Sequence, residues 1–204
     1  MPESVIVYFD YLCPFAWRGA ELAEIIAEPL NLSFYWRHFS LYQSNYPGSD
    51  WQLWNDPIDP QDEGGSKGLL PFLASCAAKR QGVAAFDSFR LSLLRARHSQ
   101  HLPYTYDTIL EVAEQVGLHL PSFEQDLANP ECRTTLAHDY HQAKAHHVFG
   151  TPTFQFASGD TAYFRIAELP KTTGEAVKLF QTYKQLLESY PYLQTIKRPR
   201  APRN

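Results

Sequence analysis

Ser4-Val5-Ile6-Val7-Tyr8-Phe9-Asp10-Tyr11-Leu12-Cys13-Pro14-Phe15-Ala16-Trp17 is the stretch from which the fold can be read. Its first half, Ser4 to Asp10, is a β-branched and aromatic run of the kind that makes a buried strand. Pro14 then stands where the first turn of a helix tolerates proline. Trp17, Ala20, Leu22, Ala23 and Ile26 keep helical spacing across Phe15 to Ala27, until Pro29 stops the helix. A second strand is expected from Leu32 to Phe39. Strand, helix and strand at this spacing make a βαβ unit with parallel strands.

Outward from that unit, Ser44 to Gly68 is rich in Pro, Gly, Asp and Asn and has no period, yet it carries Trp51 and Trp54. A loop of this length is either a functional lid or a segment pinned to the core by its tryptophans. Helical patterns then occupy Leu69 to Arg80, Phe86 to His98, Tyr106 to Val116, Ser122 to Leu127 and Glu131 to His147. Gly82, Pro103 and Asn129-Pro130 punctuate them. Two short strands, Thr153 to Phe156 and Thr161 to Arg165, flank a turn at Ser158-Gly159-Asp160. A final helix is capped by Thr172 or Thr173 and ends near Ser189. The order is β-α-β, a block of helices, β-β and α. The chain therefore divides into a discontinuous α/β unit (1–43 and 149–190), a loop with an all-helical insertion (44–148) and an extended basic tail (191–204).

The 204 residues suffice for a sizeable core, and 44% apolar with 20% charged residues is ordinary for a globular protein. A net charge of −4 and a pI near 6.0 give no electrostatic case for nucleic acid. No apolar run is long enough to span a bilayer. The N-terminus shows no basic stretch, apolar helix and small-residue cleavage site in succession, so a cytoplasmic location is expected. Cysteines 13, 76 and 132 are odd in number and widely spaced, which suits free thiols in a reducing compartment rather than a disulfide framework.

Cys13 follows a strand and precedes a helix. A helix N-terminus offers unpaired N–H groups and partial positive charge, which favour the reactive thiolate over the thiol. Cys13 is therefore read as a nucleophile rather than a small buried hydrophobe. Far along the chain, Gly150-Thr151-Pro152-Thr153-Phe154 places a proline directly before an apolar strand, where its missing N–H does no harm.

Those two elements carry a resemblance. Asp10-Tyr11-Leu12-Cys13-Pro14-Phe15-Ala16-Trp17 is similar to the Asp-x-x-Cys-Pro-x-Cys-Tyr/Trp motif of DsbA-like oxidoreductases of the FrnE type, and Gly150 to Phe154 resembles their cis-proline loop. Trp36-Arg37-His38-Phe39-Ser40-Leu41 is similar to the segment ending that family's second strand. The resemblance runs from Ser4 to Ser189. It implies a thioredoxin-like fold with a helical insertion, a cis Pro152 close to Cys13, and a Thr151 backbone able to pair with an extended substrate.

The motif departs from the family at one position: Ala16 replaces the second cysteine. A dithiol site releases its substrate when the second thiolate attacks the mixed disulfide. Here that attack must come from Cys76, Cys132 or an external thiol. Cys76 lies in an apolar helical stretch and reads as buried and inert; Cys132 opens another helix. Kappa-class glutathione transferases and 2-hydroxychromene-2-carboxylate isomerases share the fold but resemble Asp-x-x-Ser-Pro-Tyr at the site. Ala16, with Phe15 before it, leans toward them.

The expected function is thiol–disulfide exchange through the single nucleophile Cys13. Pro14, Phe15, Ala16, Thr151 and Pro152 would form the substrate or thiol site. No tightly bound cofactor is expected; a low-molecular-weight thiol such as glutathione is the expected co-substrate, and a small thiol or a protein disulfide the expected partner. The alternatives are a kappa-like transferase or isomerase, and a redox-silent binding module. Asp10 would relay protons or order the loop. Arg37 and His38 would hold an anionic ligand or stand solvated at the strand end. His138, His141, His146 and His147 lack the spacing of a helical zinc motif, so a solvated helix face and no metal are expected. Lys197, Arg198, Arg200 and Arg203 read as a solvated terminus.

Overall fold

The computed structural model describes residues 2–58 and 67–198. Four strands form one mixed sheet in the order β2-β1-β3-β4. Strand β1 (Glu3–Phe9) lies inside it, parallel to β2 (Leu32–His38) from Glu3↔Leu32 to Phe9↔His38, and antiparallel to β3 (Thr153–Phe156). Strand β4 (Thr161–Tyr163) closes the edge as the second arm of a hairpin, two residues shorter than the sequence pattern indicates. A central strand is covered on both faces, which is why β1 reads as an almost unbroken apolar run: Val5, Val7, Tyr8 and Phe9 are all buried.

Helix α1 (Pro14–Ala27) begins with proline at its first turn and buries Ala16, Gly19, Ala20, Ala23 and Ile26, one stripe at three- and four-residue spacing. It packs beside α8 (Thr173–Ser189), whose N-cap Thr172 accepts the N–H of Glu175. Phe180 of α8 meets the rings of Phe34 in β2 and of Phe154 and Phe156 in β3, which joins this helix to two strands.

Between β2 and β3 the chain forms α2 (Leu41–Asn45), α3 (Leu69–Arg80), α4 (Val83–His98), α5 (Tyr106–Gln115), α6 (Leu120–Leu127) and α7 (Pro130–Ala145). Helices α3 to α7 pack among themselves, α4 against α1 and α7 against β2. Helix α2 is absent from the sequence pattern. It is a short turn started by Ser40, whose hydroxyl accepts the Gln43 N–H at 3.1 Å. Helix α4 starts one turn before the apolar pattern does, at Gly82, whose φ of 123° ends the preceding helix.

The described part of the 44–68 loop is pinned down. Trp54 is buried against Tyr140 and His141, Trp51 lies between Tyr42 and Tyr46, and Arg133 donates to the carbonyls of Trp54 and Asp56 at 2.7 Å. Residues 59–66 of this loop, and Arg200 and Arg203 of the tail, lie outside the described residues. Residues 191–198 of the tail form neither helix nor strand.

Candidate active site

Cys13 is the N-cap of α1, with extended backbone (φ −92°, ψ 113°), and its carbonyl accepts the N–H groups of Ala16 and Trp17 at 3.0 and 3.2 Å. The first turn carries no acidic residue, so no carboxylate offsets the positive end of the helix there. The side chain is 6% exposed. Its Sγ donates to the carbonyl oxygen of Thr151 at 3.4 Å, across 138 positions of sequence. The Thr151–Pro152 bond is cis.

The sheet explains this meeting. Strand β1 delivers Cys13 to one end of the sheet, and β3, paired antiparallel to it, starts at that same end from Pro152. Phe164 donates its N–H to the Pro152 carbonyl at 3.1 Å, and Thr153 Oγ1 donates to Gly150 O at 2.7 Å, fixing the loop on both sides. Thr151 Oγ1 is buried and has no hydrogen-bond partner among the described residues.

Asp10 orders the other wall. Its carboxylate is fully buried and accepts the N–H groups of Leu12 at 2.8 Å and Leu41 at 2.6 Å. Burial raises its pKa to about 6, against the lowering effect of those two donors. Both oxygens are engaged by backbone, and of the two roles expected for Asp10 the ordering of the loop is the one these bonds support.

The helical layer adds contacts that sequence reasoning missed. The Tyr11 carbonyl accepts from His98 Nε2 at 2.8 Å and from Tyr104 Oη at 3.0 Å. His98 also stacks on Trp17, and its burial lowers its pKa, which keeps the ring neutral. The segment between β1 and α1 is thus held from α4 and from the segment after it, by side chains about ninety positions away. No local pattern marks a histidine or tyrosine as the donor to a distant carbonyl.

Ala16 is fully buried one helical turn from Cys13, the recessed place a second thiol would take. Phe15 is half-buried, with the guanidinium of Arg165 over its ring at 3.5 Å and that of Arg18 at 5.4 Å. Neither arginine has an ion-pair or hydrogen-bond partner among the described residues. Phe149, two positions before Thr151, is 70% exposed and packs against Tyr163. The rim of the site is therefore aromatic and basic.

His38 corrects the expectation of a ligand-holding or solvated strand end, while Arg37 stays partly exposed and is tied to Asp139. His38 is buried, with Nε2 3.0 Å from Ser75 Oγ and Nδ1 3.2 Å from Asp139 Oδ2. Asp139 also accepts the backbone N–H of His38 and pairs with Arg37 Nη1, both at 3.1 Å, and these partners hold its carboxyl below the usual range despite burial. Serine, imidazole and carboxylate stand in the order of a hydrolytic triad, but all three are buried. They form a clamp joining β2, α3 and α7. His138, His141, His146 and His147 are exposed, and no group able to hold a metal occurs among the described residues. Cys132 is buried elsewhere, with its Sγ donating to the carbonyl of Asp126 at 3.6 Å.

Residues 4–169 match the family model described as the DSBA-like thioredoxin domain. Among solved structures, 2-hydroxychromene-2-carboxylate isomerase aligns over 94% of this chain and all of its own, at 16% identity and a TM-score of 0.62. The cytosolic disulfide reductase DsbM from Pseudomonas aeruginosa, solved with GSH, aligns over 93% and 100% at 15% identity and 0.58. The thiol-disulfide exchange protein alpha-DsbA2 from Wolbachia pipientis aligns over 90% and 81% at 12% identity and 0.59. At these identities the likeness is one of fold. No curated protein sequence matches the chain.

Proposed function

Since the chain belongs to the DSBA-like thioredoxin domain family, through a match that contains both Cys13 and Pro152, we propose that it is a cytoplasmic thiol–disulfide oxidoreductase working through Cys13 alone. The observation that carries this reading is the thiol of Cys13 at the start of α1, 3.4 Å from the Thr151 carbonyl, with Ala16 where a resolving thiol would stand. The Cys13 thiolate attacks one sulfur of a substrate disulfide; a Cys13–substrate bond forms and the other substrate sulfur leaves as thiolate. An external thiol then attacks the substrate sulfur of this mixed disulfide and returns Cys13 to solution chemistry as a thiolate. No protein thiol within the motif competes for that step.

Thr151 and Pro152 hold the backbone of the bound partner, Pro14 shapes the helix start, and Phe15 lines the approach. Glutathione suits the rim, because its carboxylates would meet Arg18 and Arg165, which have no carboxylate partner among the described residues. A cytosolic disulfide reductase among the structural neighbours supports the compartment, and none of the described helices is long and apolar enough to cross a membrane. A second reading, a kappa-like transferase or an isomerase holding a thiol cofactor, draws on Ala16 and on the fold shared with the isomerase.

Mass spectrometry after exposure to glutathione disulfide tests the first reading. A glutathione adduct on Cys13, removed by added glutathione and absent from Cys13→Ser, is the expected result. Absence of the adduct overturns it, and conjugation of an electrophile without any adduct installs the second reading instead.

A further inference from the structure

Beyond α8 the chain changes character. Residues 190–204 hold four of its 18 lysines and arginines (Lys197, Arg198, Arg200 and Arg203) and none of its 22 aspartates and glutamates. The rest keeps 14 basic against 22 acidic residues, so a body of net charge −8 carries a segment of +4. Attraction between opposite charges favours laying that segment on the body, yet every residue from 191 to 198 is exposed.

The half of the segment nearest the helix is apolar. Tyr190 donates its N–H to the Leu186 carbonyl of α8 at 3.2 Å and starts a turn through Pro191, which Leu193 closes by donating to the Tyr190 carbonyl at 2.8 Å. The turn stands the rings of Tyr190 and Tyr192 edge to face, with centroids 6.0 Å apart. Tyr192 is 78% and Ile196 73% exposed, and Tyr190 and Leu193 are open beside them. Four large apolar side chains within seven residues are unfavourable in water, and a basic run follows them at once. Aromatic and aliphatic groups joined to lysine and arginine, with no acid, suit the surface of an anionic bilayer. The apolar groups enter the acyl boundary and the cations meet the headgroup phosphates. Leu193 and Ile196 offer no flat face for stacking on bases, which favours lipid over a single nucleic-acid strand.

The place of the segment in the fold fits this partner. Lys184 of α8 pairs with Glu3 at 2.5 Å and with Glu188 at 3.6 Å, so the end of the helix lies beside the start of β1 and its carboxylates are matched by a cation. Cys13 follows the opposite end of β1, about 20 Å away at the rise of a strand.

We propose that residues 190–204 dock the protein on anionic lipid surfaces, with the Tyr190–Leu193 turn at the interface, the basic run on the headgroups and the Cys13 site facing away. Charges count mainly within the screening length of the surface, about 8 Å at physiological salt, and the segment rather than the acidic body occupies that layer.

The test sediments the full chain with vesicles of phosphatidylcholine, alone or mixed with phosphatidylglycerol. Binding to the mixed vesicles only, weakening as salt rises, is the expected result. Lys197→Gln with Arg198→Gln should weaken it about thirty-fold, the effect of two basic residues near such a surface. Tyr192→Ser with Ile196→Ser should weaken it at unchanged charge. A chain ending at Ser189 keeps α8, and should melt as the full chain does but stay in solution. Alkylation of Cys13 should run at one rate with and without vesicles, whatever reaction the thiol performs, so this test is separate from that of the exchange reaction. No binding to mixed vesicles, equal binding to both kinds, or undiminished binding of the shortened chain overturns the proposal. Binding of single-stranded RNA in place of vesicles makes the segment a nucleic-acid arm and overturns it too. Slower alkylation on vesicles overturns the orientation.

Discussion

Gly19 and Pro152 lie in direct contact: a Cβ on Gly19 would stand 2.7 Å from Pro152 Cγ and 3.0 Å from Pro152 Cβ. Helix α1 comes this near to the loop before β3 only because position 19 has no side chain. The same approach carries the first turn of α1, with Cys13 at its head, against the carbonyl of Thr151. One small residue in the middle of a helix therefore helps set the distance between the two halves of the site.

Gly19→Ala should separate them. A methyl group forced into a filled space costs about 1–3 kcal/mol, a loss to be read by urea denaturation. Glutathione addition to Cys13 should change in rate as the Thr151 loop shifts. Unchanged stability together with an unchanged rate would show that the contact relaxes without consequence.

Ala16→Cys should restore a dithiol. The new sulfur would sit one turn from Cys13 on the buried side of α1, within reach for a disulfide if the first-turn geometry holds. The variant is expected to oxidise internally and to reduce insulin, while wild type accumulates mixed disulfide. A folded variant that forms no internal disulfide would favour the transferase or isomerase reading.

Asp10 should leave a mark on stability against pH. Its folded pKa, about 6, lies above the value of about 3.9 for an unfolded aspartate. The folded chain thus holds the proton more tightly, so stability is greatest below about pH 4 and declines as pH rises toward 6, by about 3 kcal/mol in all. Asp10→Asn cannot ionise and should lack this decline. The depressed carboxyls of Asp139 and Glu21 act with the opposite sign but are common to both proteins, so the difference curve isolates Asp10. A difference that stays flat between pH 4 and 6 would contradict a buried, ionising Asp10.

Tyr104→Phe removes one of the two donors to the Tyr11 carbonyl and leaves His98 to serve it. The expected loss of stability is about 1 kcal/mol, with a change in the reactivity of Cys13 through its tether. If only stability moved, the helical layer would be a support for the loop without influence on the thiol.

Much of this was legible along the chain because it is written locally. The unbroken apolar run of β1 follows from its place inside the sheet, and Cys13-Pro14 before a helical stripe marks a thiol at a helix start. Thr151-Pro152 before an apolar strand marks the loop that meets it. The short helix Leu41–Asn45 escaped notice because five residues hold too little periodicity, and only Ser40 signals its start. His38 read as a solvated strand end because its partner Asp139 lies a hundred positions away.

By itself, the sequence determined the order of the strands and of the longer helices, the βαβ unit, the cysteine at the helix start and the alanine at position 16, all of which depend on residue type and spacing within a turn or two. Only the tertiary structure decided which distant groups meet. It seated Cys13 on Thr151, closed Gly19 against Pro152, tied Tyr11 to His98 and Tyr104, and turned the Cys132 thiol to the carbonyl of Asp126. Those pairings depend on how whole elements pack, and a hydrogen bond between residues far apart in the chain leaves no period for a sequence to display.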